Sequence, residues 1–236
     1  MIKNVLFGSL IVLITTSCSP YKYQVFTTSA EEVKMNDDDV LLYENTDLAV
    51  SYDLWSEGGQ VLFNVYNNTD KIIYLSVPES GMIVNSDTVS YFRKKDHIHA
   101  REYTVRTLFL PQENKFSDLI LKIEPSEQKT LEAFHINWDW FKIKKPNRHI
   151  QYSKDTSPLQ FSQFLTYSFD ADLKEKTKLH NQFWTSKITK VTKRQFREYV
   201  NPREDNSDKF YVYKYPNPKT LYWLEMTAIA LESLSY

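Results

Sequence analysis

The sequence predicts a mainly β protein with a two-layered sandwich at its centre, and three observations carry that prediction. Apolar and polar residues alternate at period 2 over short runs, turn-forming residues separate the runs at short intervals, and the composition is rich in rings but poor in glycine. The alternation is clearest from Gln60 to Val77. Val61, Phe63 and Val65 oppose Leu62, Asn64 and Tyr66; after Asn67-Asn68-Thr69-Asp70 the pattern resumes with Ile73, Leu75 and Val77 against Ile72, Tyr74 and Ser76. Side chains of a strand point alternately to its two faces, and Asn and Asp accept turn dihedrals that β-branched residues resist, so this stretch predicts a β-hairpin. A lone hairpin is marginal in water and needs further strands against its apolar face. Aromatics at 15%, with 16 Tyr and 14 Phe against 4 Gly, provide rings to fill such an interior. A net charge of −1 with 25% charged residues provides neither the basic excess of a nucleic-acid binder nor an acidic tail.

The first 17 residues form a separate unit. Lys3 precedes an apolar run from Val5 to Ile14, and Thr15-Thr16-Ser17 leads to Cys18. A helix that crosses a bilayer needs about 20 apolar residues, so this segment predicts an export signal and not a span. Cys18 is the only cysteine, which excludes an intramolecular disulfide in an oxidising compartment. Ser17-Cys18 resembles the lipobox of bacterial lipoproteins, although Thr15 stands where such motifs prefer leucine. That resemblance implies that Cys18 is acylated and becomes the new N-terminus, holding the chain to a membrane of the cell envelope without spanning it. Ser19-Pro20-Tyr21-Lys22-Tyr23 carries no acid. In lipoproteins resembling those of Bacteroidota an acidic cluster here is associated with display outside the cell, so its absence implies the periplasmic face.

After the signal, residues 18–39 read as a tether and first strand, with the strand at Lys22 to Thr28. Asp37-Asp38-Asp39 lacks the alternate spacing and glycine of a calcium loop and predicts a solvated turn. A sandwich is predicted over 40–134. Its strands are Val40 to Glu44, Leu48 to Leu54 after an Asn45-Thr46-Asp47 turn, the two runs described above, Met82 to Val84 after a Pro78-Glu79-Ser80-Gly81 turn, and Thr88 to Phe92 after Asn85-Ser86-Asp87. Leu119 to Ile123 and Gln128 to Phe134 form a further predicted hairpin about Glu124-Pro125-Ser126-Glu127, proline supplying the fixed φ of a turn. The runs F-N-V-Y-N-N-T-D-K-I-I-Y-L at Phe63 to Leu75 and I-E-P-S-E-Q-K-T-L at Ile123 to Leu131 resemble the immunoglobulin-like region of uncharacterised Bacteroidota lipoproteins. The resemblance covers under half the chain and implies an immunoglobulin-like sandwich and an exported location; its motifs are turn chemistry and bring no catalytic residues.

Residues 135–236 predict a smaller β-rich region with one or two short helices. Ser157-Pro158-Leu159-Gln160 has the form of a capping box that opens a helical turn ahead of a strand at Thr166 to Phe169. Phe183 to Val191 predicts a strand, Thr192-Lys193-Arg194-Gln195 caps a helix near 193–200, and Phe210 to Tyr215 predicts a last strand. Leu221, Leu224, Ala228 and Leu231 then recur at helical spacing.

Chemistry-bearing motifs are few. No phosphate-cradling glycine loop, nucleophile elbow or H-E-x-x-H array occurs, and Cys18 is committed to the anchor. His97 and His99 would share a face if they lay on a strand, but they have no third ligand nearby and their charged stretch reads as a polar loop; Asp170 and Asp172 read as a surface turn. The sequence therefore predicts no metal, no cofactor and no catalysis. The preferred expectation is a protein-interaction or scaffold module held to the membrane through Cys18. A glycan-binding protein using Trp55, Trp138 or Trp140 as stacking platforms is the alternative, and an unrecognised hydrolase a further one. Trp138 and Trp140, two apart, also fit packing on one face of a strand, and the basic run Lys142, Lys144, Lys145 and Arg148 suits lipid phosphates or a solvated linker. The cationic face of the 193–200 helix has the same two readings, a solvated face or an anionic partner.

Overall fold

The computed structural model describes residues 21–91, 120–143, 148–200 and 206–214. The signal at 1–17, Cys18, the His97 and His99 pair and the apolar stretch from 221 onward lie outside the described residues. The molecule is mainly β, with 58% of the described residues in strands and 5% in a helix, and it has two sheets, one of them curled into a half-barrel. In chain order the strands are β1 (Tyr21–Ala30), β2 (Lys34–Met35), β3 (Leu41–Glu44), β4 (Leu48–Asp53), β5 (Gln60–Asn67), β6 (Ile73–Val84), β7 (Asp87–Ser90), β8 (Ile120–Ile123), β9 (Gln128–His135), β10 (His149–Gln151), β11 (Gln160–Ser168) and β12 (Thr177–Thr192); helix α1 (Lys193–Tyr199) and β13 (Lys209–Tyr213) follow.

An eight-stranded sheet has the order β13-β1-β12-β11-β6-β7, with β10 on β12 and β8 on β6; a five-stranded sheet has the order β2-β3-β4-β5-β9. One continuous apolar core joins them. Phe26, Ile73, Leu75, Leu165, Tyr167, Phe183 and Ile188 of the larger sheet meet Leu48, Val50, Tyr52, Phe63 and Val65 of the smaller. Alternation makes this possible: Val61, Phe63 and Val65 of β5 are buried while Leu62 and Tyr66 face out. A polar chain crosses the middle of the core, in which Asn181 Nδ2 donates to Tyr52 Oη (2.6 Å), Tyr52 donates to Gln163 Oε1 (2.5 Å) and Gln163 Nε2 donates to Tyr91 Oη (2.9 Å).

The expected hairpins about Asn67–Asp70 and Glu124–Glu127 are arches. β5 and β6 belong to different sheets, as do β8 and β9; β5 pairs β9 while β6 pairs β8. The alternation reads the same in either case, because it reports which side chains are buried and not which strand is the neighbour. Buried Asn67 decides for the arch. Its Nδ2 donates to the Lys71 (2.7 Å) and Ile123 (3.1 Å) carbonyls, and its Oδ1 accepts from Thr69 N (2.9 Å). The backbone bonds Asn67 N to Glu127 O (3.0 Å) and Ser126 N to Asn67 O (3.1 Å) close the two arches on each other.

Pro78-Glu79-Ser80-Gly81, expected as a turn, instead lies inside the continuous strand β6. It forms a bulge on β11: the register passes from Thr166 opposite Ser76 to Phe164 opposite Gly81. Ser80 Oγ stitches the bulge, accepting from Thr166 N (3.0 Å) and donating to Ser76 O (2.6 Å). The chain turns only at Asn85 and Ser86, both with positive φ, which join β6 to β7. Ser157–Leu159 forms no helical turn either. Ser157 Oγ is held between the Leu159 and Thr185 carbonyls, 2.9 Å from each, and leads the chain straight into β11. The capping box of α1 is present as expected, Thr192 Oγ1 accepting from Gln195 N (3.3 Å) and Gln195 Oε1 accepting from Thr192 N (3.1 Å). Residues from 135 onward build no sheet of their own among the described residues; β11 and β12 fill the centre of the larger sheet between β6 and β1.

Candidate functional site

The two sheets end on one side in β7 and β9. A cleft of about 370 Å³ lies there, floored by Met82, Val84, Val89, Ile136 and Leu159 and rimmed by Asp87, His135, Asn137, Trp138 and Asp139. Apolar floor and polar rim are the usual division of labour in a small-ligand site, and the volume falls in the range of such sites. The rim is built by the chain after β9. Ile136 N and Asn137 N both donate to Gly58 O (2.9 and 3.0 Å), and Asn137 Oδ1 accepts from Asp139 N (3.1 Å), so the segment is fixed without being a strand.

Trp138 is therefore not packed on a strand beside Trp140. Its ring lies against His135, centroids 4.5 Å apart, and 42% of the residue reaches solvent at the cleft. Gly58, at φ +75°, makes the close approach possible: a Cβ there would stand 3.0 Å from the indole. Burial holds the His135 imidazole below its ordinary value of 6.5, in the neutral form that stacks on the indole.

Trp140 and Trp55 sit elsewhere. Trp140 is half-buried beneath the ammonium of Lys214, 5.6 Å from its ring centroid. Trp55 belongs to an aromatic stack, 5.9 Å from Phe196 and 6.3 Å from Tyr199, with Tyr23 on Phe196 at 3.9 Å and nearly parallel. Burial raises the Tyr23 hydroxyl above its ordinary value, with Tyr213 and Glu57 adding to the effect. The structure thus divides the three tryptophans; only Trp138 is an open platform on a cleft.

Comparison finds no matching protein-family model, curated protein or solved structure. The site is accordingly described by its own geometry. Among the described residues no group of three His, Cys, Asp or Glu side chains is placed to hold a metal ion, and no helix is long and apolar enough to cross a membrane. A second, more open hollow of about 470 Å³ between the β6–β7 turn and β11 contains one cation, Lys154, already bonded to Glu31 (2.8 Å) and Gln182 (3.0 Å).

The cleft's other residues carried no sequence signal. Asp87 reads as turn chemistry, His135 belongs to the aromatic-then-basic stretch that begins there, and Asn137 and Asp139 lie between its rings. Gln24 was equally silent. Fully buried in β1, it donates from Nε2 to Phe141 O (2.7 Å) and accepts from Phe141 N (2.9 Å), tying the end of the rim segment to the sheet.

Proposed function

We propose that this chain is a non-catalytic, lipid-anchored protein of the cell envelope, facing the periplasm, that binds carbohydrate at the cleft between β7 and β9. The observation that carries the reading is Trp138, an exposed indole on the rim of a concave site with amide and carboxylate groups beside it. The C–H face of a sugar ring is apolar and lies flat on an indole, while its hydroxyls need donors and acceptors at the edge; Asn137, Asp139 and Asp87 supply them. Calorimetric titration with oligosaccharides prepared from envelope polysaccharide tests the reading. Trp138→Ala should weaken binding at least about fivefold, the worth of a ring contact of ~1 kcal/mol, and Trp55→Ala should leave it unchanged. Absence of binding, or an equal affinity in Trp138→Ala, removes the carbohydrate reading. The partly exposed stack of Trp55, Phe196, Tyr199 and Tyr23 favours a second reading, a protein-interaction or scaffold module, because such rings are enriched at protein interfaces.

A further inference from the structure

We infer that the end of the sandwich carrying α1 lies flat against an anionic phospholipid surface, so that the molecule has a fixed orientation on its membrane. The inference rests on the reading of Cys18 as an acyl anchor. Tyr21, the first residue of β1, pairs directly with Thr192, the N-cap of α1. Three peptide steps separate Tyr21 from position 18, a reach of at most about 11 Å. The Debye length is about 8 Å at physiological salt, so an anchored Cys18 holds this end of the sheet within about one and a half Debye lengths of the bilayer, where its surface potential still acts.

The side chains at that end suit such a surface. Lys22 of β1, Lys193, Arg194 and Arg197 of α1, Lys214 after β13 and Lys142 beside Phe141 are all exposed. The same end holds them: Lys214 N bonds to Lys22 O (2.7 Å), Gln24 holds Phe141 against β1, and Phe196 of α1 stacks on Tyr23 of β1. None of the six forms an ion pair with another described residue. Among the described residues Glu198 on α1, Glu57 beside Tyr211, Asp53 beside Trp55 and Asp139 beside Trp140 are the acids near them, so six cations stand against four acids. Rings accompany the cations: Trp140 under Lys214, and Tyr213 tilted on Tyr23 at 5.0 Å. Tyrosine and tryptophan with lysine and arginine are the side chains that favour the headgroup layer. Lys174 and Lys176 just before β12 and Lys178 at its opposite end offer a control far from the anchor, Lys174 and Lys176 being paired with Asp172 and Glu79.

The test separates surface from anchor. The chain from residue 18 onward with Cys18→Ala, which retains every described residue but cannot be acylated, is titrated with vesicles of phosphatidylcholine, with and without phosphatidylglycerol. Binding should need the anionic lipid and disappear at about 1 M salt, where the Debye length shrinks to ~3 Å. Lys193→Ala/Arg194→Ala/Arg197→Ala should weaken it at least about tenfold, each cation near a surface being worth roughly fivefold, while Lys174→Ala/Lys176→Ala/Lys178→Ala leaves it unchanged. An equal response of the two triple variants, both with the parent's melting temperature, or binding indifferent to phosphatidylglycerol, overturns the inference. The mass of the chain recovered from its native cell decides the anchor separately: a mass without acyl groups overturns that reading whatever the vesicles show.

Discussion

A single buried amide shows how one residue positions a functional segment. Gln24 has no exposure and offers Phe141 the donor and acceptor that a neighbouring strand would offer, so the irregular rim segment is tethered at that end without a ladder. Gln24→Ala removes both bonds and leaves the part-buried Phe141 N–H and C=O without these partners; the expected loss is about 1–2 kcal/mol of unfolding free energy in urea titration, with faster amide exchange at Phe141. Gln24→Glu should cost more, since a carboxylate cannot donate to the Phe141 carbonyl. His135 predicts a pH dependence at the same scale. Its folded value is lowered by burial, so between the ordinary 6.5 and that lowered value the unfolded chain binds more protons. Stability is therefore complete above about pH 7 and falls on acidification through that window. Thermal melts from pH 8 to 5 should show a decline that His135→Gln reduces; equal declines in the two proteins would remove His135 as its source.

The elements that decide the topology are the stacked arches. Asn67 serves two carbonyls and one amide from a position with no exposure, and one of those carbonyls, Ile123, belongs to the other arch. Asn67→Ala should destabilise by about 2–4 kcal/mol, and Asn67→Asp by a similar amount, because it retains the acceptor for Thr69 but turns an oxygen toward the Lys71 and Ile123 carbonyls. Recovery of most of the stability in Asn67→Asp would show that the cross-arch bonds matter little. Gly59 belongs to the same scale: at φ +67°, with a Cβ position 2.8 Å from the Phe210 ring, Gly59→Ala should cost about 2–4 kcal/mol and loosen β13. These positions explain what was legible in the sequence. Period-2 burial in β5 and in β6 as far as Leu75, the Asn45–Asp47 turn and the Thr192 cap depend on local chemistry and are read directly, whereas Ser76, expected opposite Leu75, is buried where the bulge begins. Whether β5 folds back on β6 or crosses to the other sheet depends on Ile123, far along the chain, and local pattern carries no information about it. The same applies to the cleft: Trp138 was legible as a ring, but its exposure depends on Gly58 and Gln24, which act across long sequence separations.

At the scale of the whole molecule, β12 is the spine. Its 16 residues rise roughly 50 Å at about 3.3 Å per residue, paired first with β11 and then with β1 and β10. The α1 end of that spine is the one we assign to the membrane, and the cleft borders β6 near Val84, which stands opposite Phe161 and, through it, Phe183 partway along β12. A ligand thus has access to the cleft while the cationic end rests on the bilayer. The same interleaving makes the fold indivisible. Residues 40–134 carry β3 to β9 except for His135, the last residue of β9, but β6 then loses β11, and the core loses Phe26, Phe161, Leu165, Tyr167, Phe183, Ile188 and Phe210. Each large apolar side chain contributes about 1.5–3 kcal/mol when buried, so the loss of seven, about 10–20 kcal/mol, is as large as the whole ~5–15 kcal/mol by which a domain is stable. A fragment of residues 40–134 should show no cooperative urea transition. The chain from residue 21 onward should lose tryptophan fluorescence and far-ultraviolet dichroism together, in one transition. A cooperative transition in the fragment, or two separated transitions in the longer chain, would mean that the halves fold independently despite sharing a sheet. Closing β1 onto β12 across most of the described chain also makes slow refolding the expectation, since the loop entropy of such pairings must be overcome before their contacts form; stopped-flow refolding should fall in the range of milliseconds to seconds or slower.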